Sequence, residues 1–242
     1  MTAQIGMDQC LSFINCQLKP RDKPGPGEPA AAARRAVTIS RASGSGGHVV
    51  ARRLAELLQA QTPRDACPWT VFDRQLVDKA IEEQHLPKHW ERFMPEDRIS
   101  EISDIMDELF GLHPSSWTLV RKVSDTMLHL AELGNVILIG RAANIVTSKL
   151  DYVFHVRLVG PLAKRVAYIQ ELEHLSLKAA KEFVRKEDAA RRRYVKKYFG
   201  KDIEDPLLYH LVINTDLVSY EEAARLIAEA VVGRQAAGKE SK

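Results

Sequence analysis

The 242-residue chain has little cysteine, no long apolar run and no basic start, and each shortage removes a class of protein. Three cysteines, Cys10, Cys16 and Cys67, are too few for a disulfide scaffold at this length and form no C-x-x-C pair. The longest apolar runs, such as Val136 to Ile139, fall far short of the roughly 18 residues a bilayer requires. The first sixteen residues carry Asp8 and no early Lys or Arg, unlike a secretory signal. Histidine offers no convincing metal pair, because His85 and His89 are separated by Pro87, which disrupts a shared helix face. The expectation left standing is a soluble cytoplasmic protein of ordinary globular composition, 45% hydrophobic and 28% charged.

The net charge of +3 conceals an uneven distribution. Residues 82–108 hold nine acidic and three basic side chains, whereas residues 178–201 hold ten basic and three acidic ones. Such a split points to a partner or ligand for the basic segment, which the total charge does not reveal.

Residues 1–35 read as an appendage: a short amphipathic stretch from Cys10 to Cys16, then a linker with four prolines, two glycines and an alanine run. The domain is expected at 36–233, with a polar tail over 234–242. Within it, short apolar runs alternate with helical periodicity. Strands are expected at Ala36–Ser40, Trp69–Phe72, Val136–Ile139, Tyr152–Leu158 and Leu211–Asn214. Helices are expected at 48–60, 74–83, 99–109, 116–133, 161–174 and 176–197. A last one runs from the Ser219 cap, with Glu222 completing a capping box, through Val231. Gly134 suits the stop of the helix before Val136. The alternation implies an α/β fold: a three-layer parallel sheet of about five strands, covered by helices on both faces. Ligands of such sheets bind at the carboxyl ends of the strands.

The first of those ends carries Ser40-Arg-Ala-Ser-Gly-Ser-Gly-Gly47 and leads into a helix. Ser43, Gly44, Ser45, Gly46, Gly47 and His48 can form a cradle of backbone N–H groups backed by a helix N-terminus, which suits phosphate. The same residues also make an ordinary tight strand–helix turn. Against the pattern G-x-x-x-x-G-K-[ST], Gly47 stands at the lysine and His48 at the magnesium-binding hydroxyl. Arg41 is the cation that could replace the lysine, and Ser43 or Ser45 the hydroxyl that could meet Mg2+.

Val37-Thr-Ile-Ser-Arg-Ala-Ser-Gly-Ser-Gly-Gly47 resembles the loop of cytidylate kinase-like proteins, a P-loop nucleoside monophosphate kinase branch that lacks the lysine. Phe72-Asp-Arg74, Ile139-Gly-Arg141, Asp188 with Arg191, and Leu211-Val-Ile-Asn-Thr215 follow in the order of that family, so the resemblance spans about 37–232. It implies a P-loop nucleoside triphosphate hydrolase fold with a helical lid, ATP and Mg2+ as cofactors, and a nucleoside monophosphate acceptor, CMP or dCMP first. It places Asp73, Arg74 and Arg141 on the acceptor side and Asp188 with Arg191 in the lid.

Arg185, Asp188 and Arg192 share a helix face by spacing, with Arg191 beside them, and clustered guanidinium groups suit phosphoryl transfer. Departures from the family are an upstream lid arginine displaced by one residue to Arg185, and alanine or isoleucine where aspartates flank the equivalent of Arg141. The expected catalytic set is Arg41, Arg185, Asp188, Arg191 and Arg192. The residues leave two other readings: a regulatory nucleotide-binding protein without turnover, and a nucleic-acid binder acting through residues 178–201. The latter is the less favoured. No membrane partner is expected, and the oligomeric state is not legible.

Overall fold

A computed structural model describes residues 35–63, 66–73 and 117–240, together with Ser12, Phe13, Cys16, Ile105, Met106 and Leu109. The expected helix at 74–83, most of that at 99–109, Arg74, most of the acidic segment, His85 and His89 lie outside them.

In chain order the elements are β1 (Ala36–Arg41), α1 (Gly47–Ala60), β2 (Thr70–Phe72), α2 (Thr118–Leu133), β3 (Val136–Ile139), α3 (Ala143–Val146), β4 (Val153–Val159), α4 (Leu162–Glu173), α5 (Leu177–Phe199), β5 (Leu211–Asn214) and α6 (Tyr220–Glu240). All five strands are parallel, in the order β2-β3-β1-β4-β5. The chain therefore crosses β1 on its way from β3 to β4, and the loops after β1, β3 and β4 open side by side at one edge.

Side chains alternate across the sheet and build two cores. Val37 and Ile39 of β1 join Ile137, Ile139, Val156 and Leu158 against Val50, Leu54 and Leu58 of α1 and Ala223, Ala224 and Ile227 of α6. The other face sets Ala36, Phe72, Val136, Leu138 and Val153 against Val123, Met127 and Leu130 of α2. Helix–sheet–helix layering is thus a consequence of both strand faces being apolar.

Most boundaries follow from local chemistry. Ser176 caps α5 by accepting from the Ala179 N–H, and Ser219 caps α6 by accepting from Glu222. Gly134 ends α2 with φ 76°. Two expectations need correction. Helix α6 continues through Gly233 to Glu240 rather than ending at Val231, because the sequence from Arg234 contains no helix breaker of proline type. The N-terminal appendage also contributes to the core: Phe13 is fully buried and meets Phe72 edge to face at 5.6 Å. Cys16 is joined to Cys67 by a disulfide across a separation of 51 residues, a constraint on the unfolded chain that the cysteine count did not suggest.

One sheet face carries a buried polar row under the chain segment preceding β5. Thr38 Oγ1 lies 2.9 Å from His155 Nδ1, and His210 stacks on Phe154 and His155. Burial, reinforced by His210 and Arg234, pushes the His155 imidazole down to about 3, so it is neutral in the folded protein. An unfolded histidine titrates near ~6.5. Between these values the unfolded chain binds the extra proton, and stability falls as pH falls. The expected slope from this residue is about 1.4 kcal/mol per pH unit below pH ~6.5. Denaturant unfolding from pH 7 to 4 should show that decline flattened in His155→Gln; an equally steep decline in the variant would assign the effect elsewhere.

Candidate phosphate-binding site

Strand β1 delivers Arg41 to the carboxyl edge of the sheet, and the loop that follows turns back over it. Ala42 N–H donates to Leu158 O at 2.9 Å, keeping the loop in contact with β4. Gly46 precedes α1 with φ 77°, a left-handed conformation that side chains disfavour, and a Cβ there would overlap the Tyr220 ring. The N–H groups of Gly47 and His48 at the start of α1 make no hydrogen bond among the described residues. They supply the open donors and the positive helix end that an anion site needs.

The two serines separate. Ser45 Oγ donates to Ala42 O at 2.9 Å, lies 3.3 Å from Leu158 O, and belongs to a residue only 1% exposed. It serves the loop's own geometry and is not placed to meet a metal. Ser43 Oγ makes no hydrogen bond among the described residues, although its backbone is anchored at both ends.

That anchoring comes from Asp188 and a residue sequence reasoning missed, Arg165. Asp188 Oδ1 accepts from the Ser43 N–H at 2.7 Å, and Asp188 Oδ2 accepts from Arg165 Nη1 at 2.6 Å. Arg165 also donates to Ser43 O at 2.9 Å and to Gly160 O at 2.8 Å. Arg191 completes the group, 3.5 Å from Asp188 and 3.0 Å from Glu187. One carboxylate thus joins the first loop, the start of α4 and the long helix α5. The position of Arg165, just past the end of β4, was a usable signal, since that is a ligand edge.

Arg41 is the centre of the site. Burial first, and the Arg191 charge second, lower its pKa to about 10, still far above neutrality. No carboxylate pairs with it among the described residues. Its stem runs beside Gly47, where an added Cβ would stand 3.0 Å from Arg41 Cγ. Its guanidinium lies against Gly140, φ +80°, where a Cβ would overlap Nη1. Asp73 and His48 face the same region: His48 Nδ1 is 4.0 Å from Asp73 Oδ2, and partial burial together with Arg41 lowers the imidazole pKa.

Beyond β3, Arg141 and Ala142 hold φ 54° and 59°, left-handed values costly for residues with a Cβ. The Ala143 N–H to Gly140 O and Ile145 N–H to Ala142 O bonds, 3.0 and 2.8 Å, hold this turn. It brings Arg141 and Asn144 to a cavity of about 260 Å3 that Arg41, Glu187, Arg191 and Tyr194 also line. Asn144 is 6% exposed and its Nδ2 has no hydrogen-bond partner among the described residues.

The structure therefore brings Arg41, Arg141, Asp188 and Arg191 together beside Ser43–His48, with Asp73 near. Arg192 sits at the rim, exposed and bonded to Glu204 at 2.5 Å. Arg185 is exposed on the outside of α5. Arg185 shares a face with Asp188 and Arg192 by spacing, but that face is turned from the cavity, because the inward stripe is Glu187, Asp188, Arg191, Tyr194 and Val195, one step round the helix. Trp117 packs on Tyr198 at 5.1 Å, as an aromatic core contact.

The cytidylate kinase-like family matches residues 36–217. The chain belongs to the cytidylate kinase-like family. Two curated relatives are similar: the cytidylate kinase of Staphylothermus marinus, 36% identical over 98 residues, 40% of this chain and 54% of that protein, and that of Aeropyrum pernix, 33% identical over 104 residues, 42% of this chain and 59% of that protein. The chain thus spans under two thirds of the length of these relatives. An uncharacterized protein from Eubacterium ventriosum has a similar structure, with a TM-score of 0.63 at 20% identity over 83% of this chain and 99% of its own. The fold of the present chain is α/β, a five-stranded parallel sheet with helices on both faces. Among its described residues no helix is long and apolar enough to cross a membrane.

Asp188→Ala removes the acceptor of the Ser43 N–H and the negative charge facing Arg165 and Arg191. Hydrogen bonds to charged groups contribute roughly 1.5–3 kcal/mol, so a loss of about 2 kcal/mol is expected in denaturant unfolding. A change below about 0.5 kcal/mol would mean that the carboxylate does not hold the loop.

Proposed function

We propose that the protein is a nucleoside monophosphate kinase that moves the γ-phosphoryl group of ATP to CMP or dCMP. The observation that carries this reading is the position of Arg41: a guanidinium with no direct ion pair among the described residues, rising beside Gly47, where the side chain of a P-loop lysine would begin. Its charge enters the space in front of the loop from the other end. Arg141 and Arg191 approach from the acceptor side of the same cavity.

In this reading the N–H groups of Gly47 and His48 bind donor phosphate oxygens. Arg41 bridges donor and acceptor, and Arg141 with Arg191 fixes the acceptor phosphate. An acceptor phosphate oxygen forms the new P–O bond while the bond to the bridging oxygen breaks, and ADP leaves with that electron pair. The chain's contribution is alignment and charge neutralisation, since phosphoryl transfer demands little covalent work of the protein.

Mg2+ fits by way of the nucleotide. Among the described residues no group of three His, Cys, Asp or Glu side chains could hold a metal. Magnesium ordinarily takes one or two protein oxygens and fills the rest of its shell with phosphate oxygens and water. Ser43 Oγ is the available loop hydroxyl. Bound there, the ion would neutralise phosphate charge. The partners are then nucleotides, in a cytoplasmic setting where ATP is plentiful. The pairing of Arg191 with Glu187 and of Arg192 with Glu204 lowers the positive charge that residues 178–201 would offer a nucleic acid.

The test is ADP formation by the full chain with ATP, magnesium and each nucleoside monophosphate in turn. CMP or dCMP should be the best acceptor. Removing one charge-stabilising donor typically costs about 100- to 1,000-fold, so Arg41→Ala should lose at least ~100-fold in kcat. Nucleotide binding without ADP formation would replace the kinase reading with a regulatory one. Full activity in Arg41→Ala would remove Arg41 from the mechanism.

A further inference from the structure

A second cavity, about 320 Å3, adjoins the first on the far side of Arg41 and Arg191, under α5 and over the ends of β4 and β5. Five arginines line it, Arg41, Arg157, Arg165, Arg191 and Arg192, against two carboxylates, Asp188 and Glu204. Both carboxylates are already committed: Asp188 to Arg165, Arg191 and the Ser43 N–H, and Glu204 to Arg192. Arg41 and Arg157 make no direct ion pair among the described residues; Asp73 and Glu187 act on Arg41 only from a distance.

Arg157 is the unexpected member. It lies within β4 and is only 7% exposed. Its Nη1 donates to Ser40 Oγ at 2.9 Å, and its guanidinium carbon lies 5.7 Å from the centre of the Tyr209 ring. The Tyr209 hydroxyl is itself fixed to Ile203 O at 2.8 Å and stands 3.2 Å from Ser40 Oγ. Neutral partners of this kind orient a guanidinium but do not cancel its charge. Arginine keeps its proton in proteins, and an uncompensated buried charge is unfavourable. The strand thus holds a cation in a fixed pose, with donors beyond the one given to Ser40, at the wall of an open cavity.

We propose that this second cavity is a phosphate-binding site in which Arg157 is the principal ligand, separate from the acceptor cavity lined by Arg141 and Asn144. Arg157 and Arg41 bring two guanidinium groups without direct ion pairs to a phosphate dianion, and the planar fork of Arg157 suits two of its oxygens. The bound group is either a phosphate of a nucleotide seated across both cavities or a free phosphate anion. The site stands whether or not phosphoryl transfer does, because its recognition requires no turnover.

The full chain should be titrated with inorganic phosphate by calorimetry in phosphate-free buffer of low ionic strength, alongside Arg157→Met and Val212→Glu. Val212 is paired in register with Arg157 on the neighbouring strand, is 42% exposed and lines the same cavity. A glutamate there offers Arg157 an internal counter-ion without disturbing the core, so it decides the matter even if Arg157→Met does not fold. The wild-type protein should bind one more equivalent of phosphate than either variant. The same stoichiometry in Val212→Glu, or in folded Arg157→Met, would overturn the site. Repeating the wild-type titration with saturating ATP distinguishes the sources: loss of that equivalent assigns the position to a nucleotide phosphate, and its retention assigns it to a free anion.

Discussion

The carboxylate of Asp188 holds the site in one piece. Its two oxygens accept from the backbone of the first loop and from Arg165, and Arg191 lies beside it. Apolar packing orders each layer, but the sheet edge where the loops meet is polar and cannot be closed by hydrophobic contact. A charged acceptor shared by three elements does that work, and its arginine partners are also the groups that face the cavities. Holding the architecture and presenting positive charge are thus one arrangement.

Crowding guanidinium groups in a half-buried space is unfavourable unless something balances them. The protein balances some and not others. Arg165 and Arg192 have carboxylates, and Arg191 has two within reach, whereas Arg41 and Arg157 have none among the described residues. Arg41 ends β1 and Arg157 lies beside it on β4, and both face the second cavity. An imbalance maintained by rigid strands, rather than relieved by flexible side chains, is the electrostatic signature of a place built to receive an anion.

Much of this was readable from the chain. The five strands lie where short apolar runs predicted them, since parallel strands buried on both faces must be apolar at nearly every position. The glycine-rich loop, Arg41 and Arg141 follow from the rule that ligands gather at the carboxyl ends of such strands, whereas Asp188 and Arg191 came from helical spacing and the family resemblance. What could not be read depends on rotation and distant contact. Helical spacing groups Arg185 with Asp188 as readily as Glu187, and only the packing of α5 decides which stripe turns inward. Ser45 and Ser43 are equivalent in the sequence until Leu158 O and Ala42 O claim one of them. Arg157 did leave a trace, a charge inside a buried strand, but its place depends on Ser40, a register partner 117 residues away, and on Tyr209. Phe13 reaches the core from beyond a proline-rich linker, which composition alone marks as an appendage.

The contact of Arg41 with Gly47 bears on how such a loop can change over generations. The stem of Arg41 occupies the space into which a side chain at position 47 would grow, and its head lies against Gly140. A side chain at 47 would thus need the stem of Arg41 to give by a few tenths of an ångström, while one at Gly140 would meet its guanidinium head. Positions 41, 47 and 140 are coupled through one side chain, so a substitution at either glycine is felt first as a change in where the Arg41 charge stands.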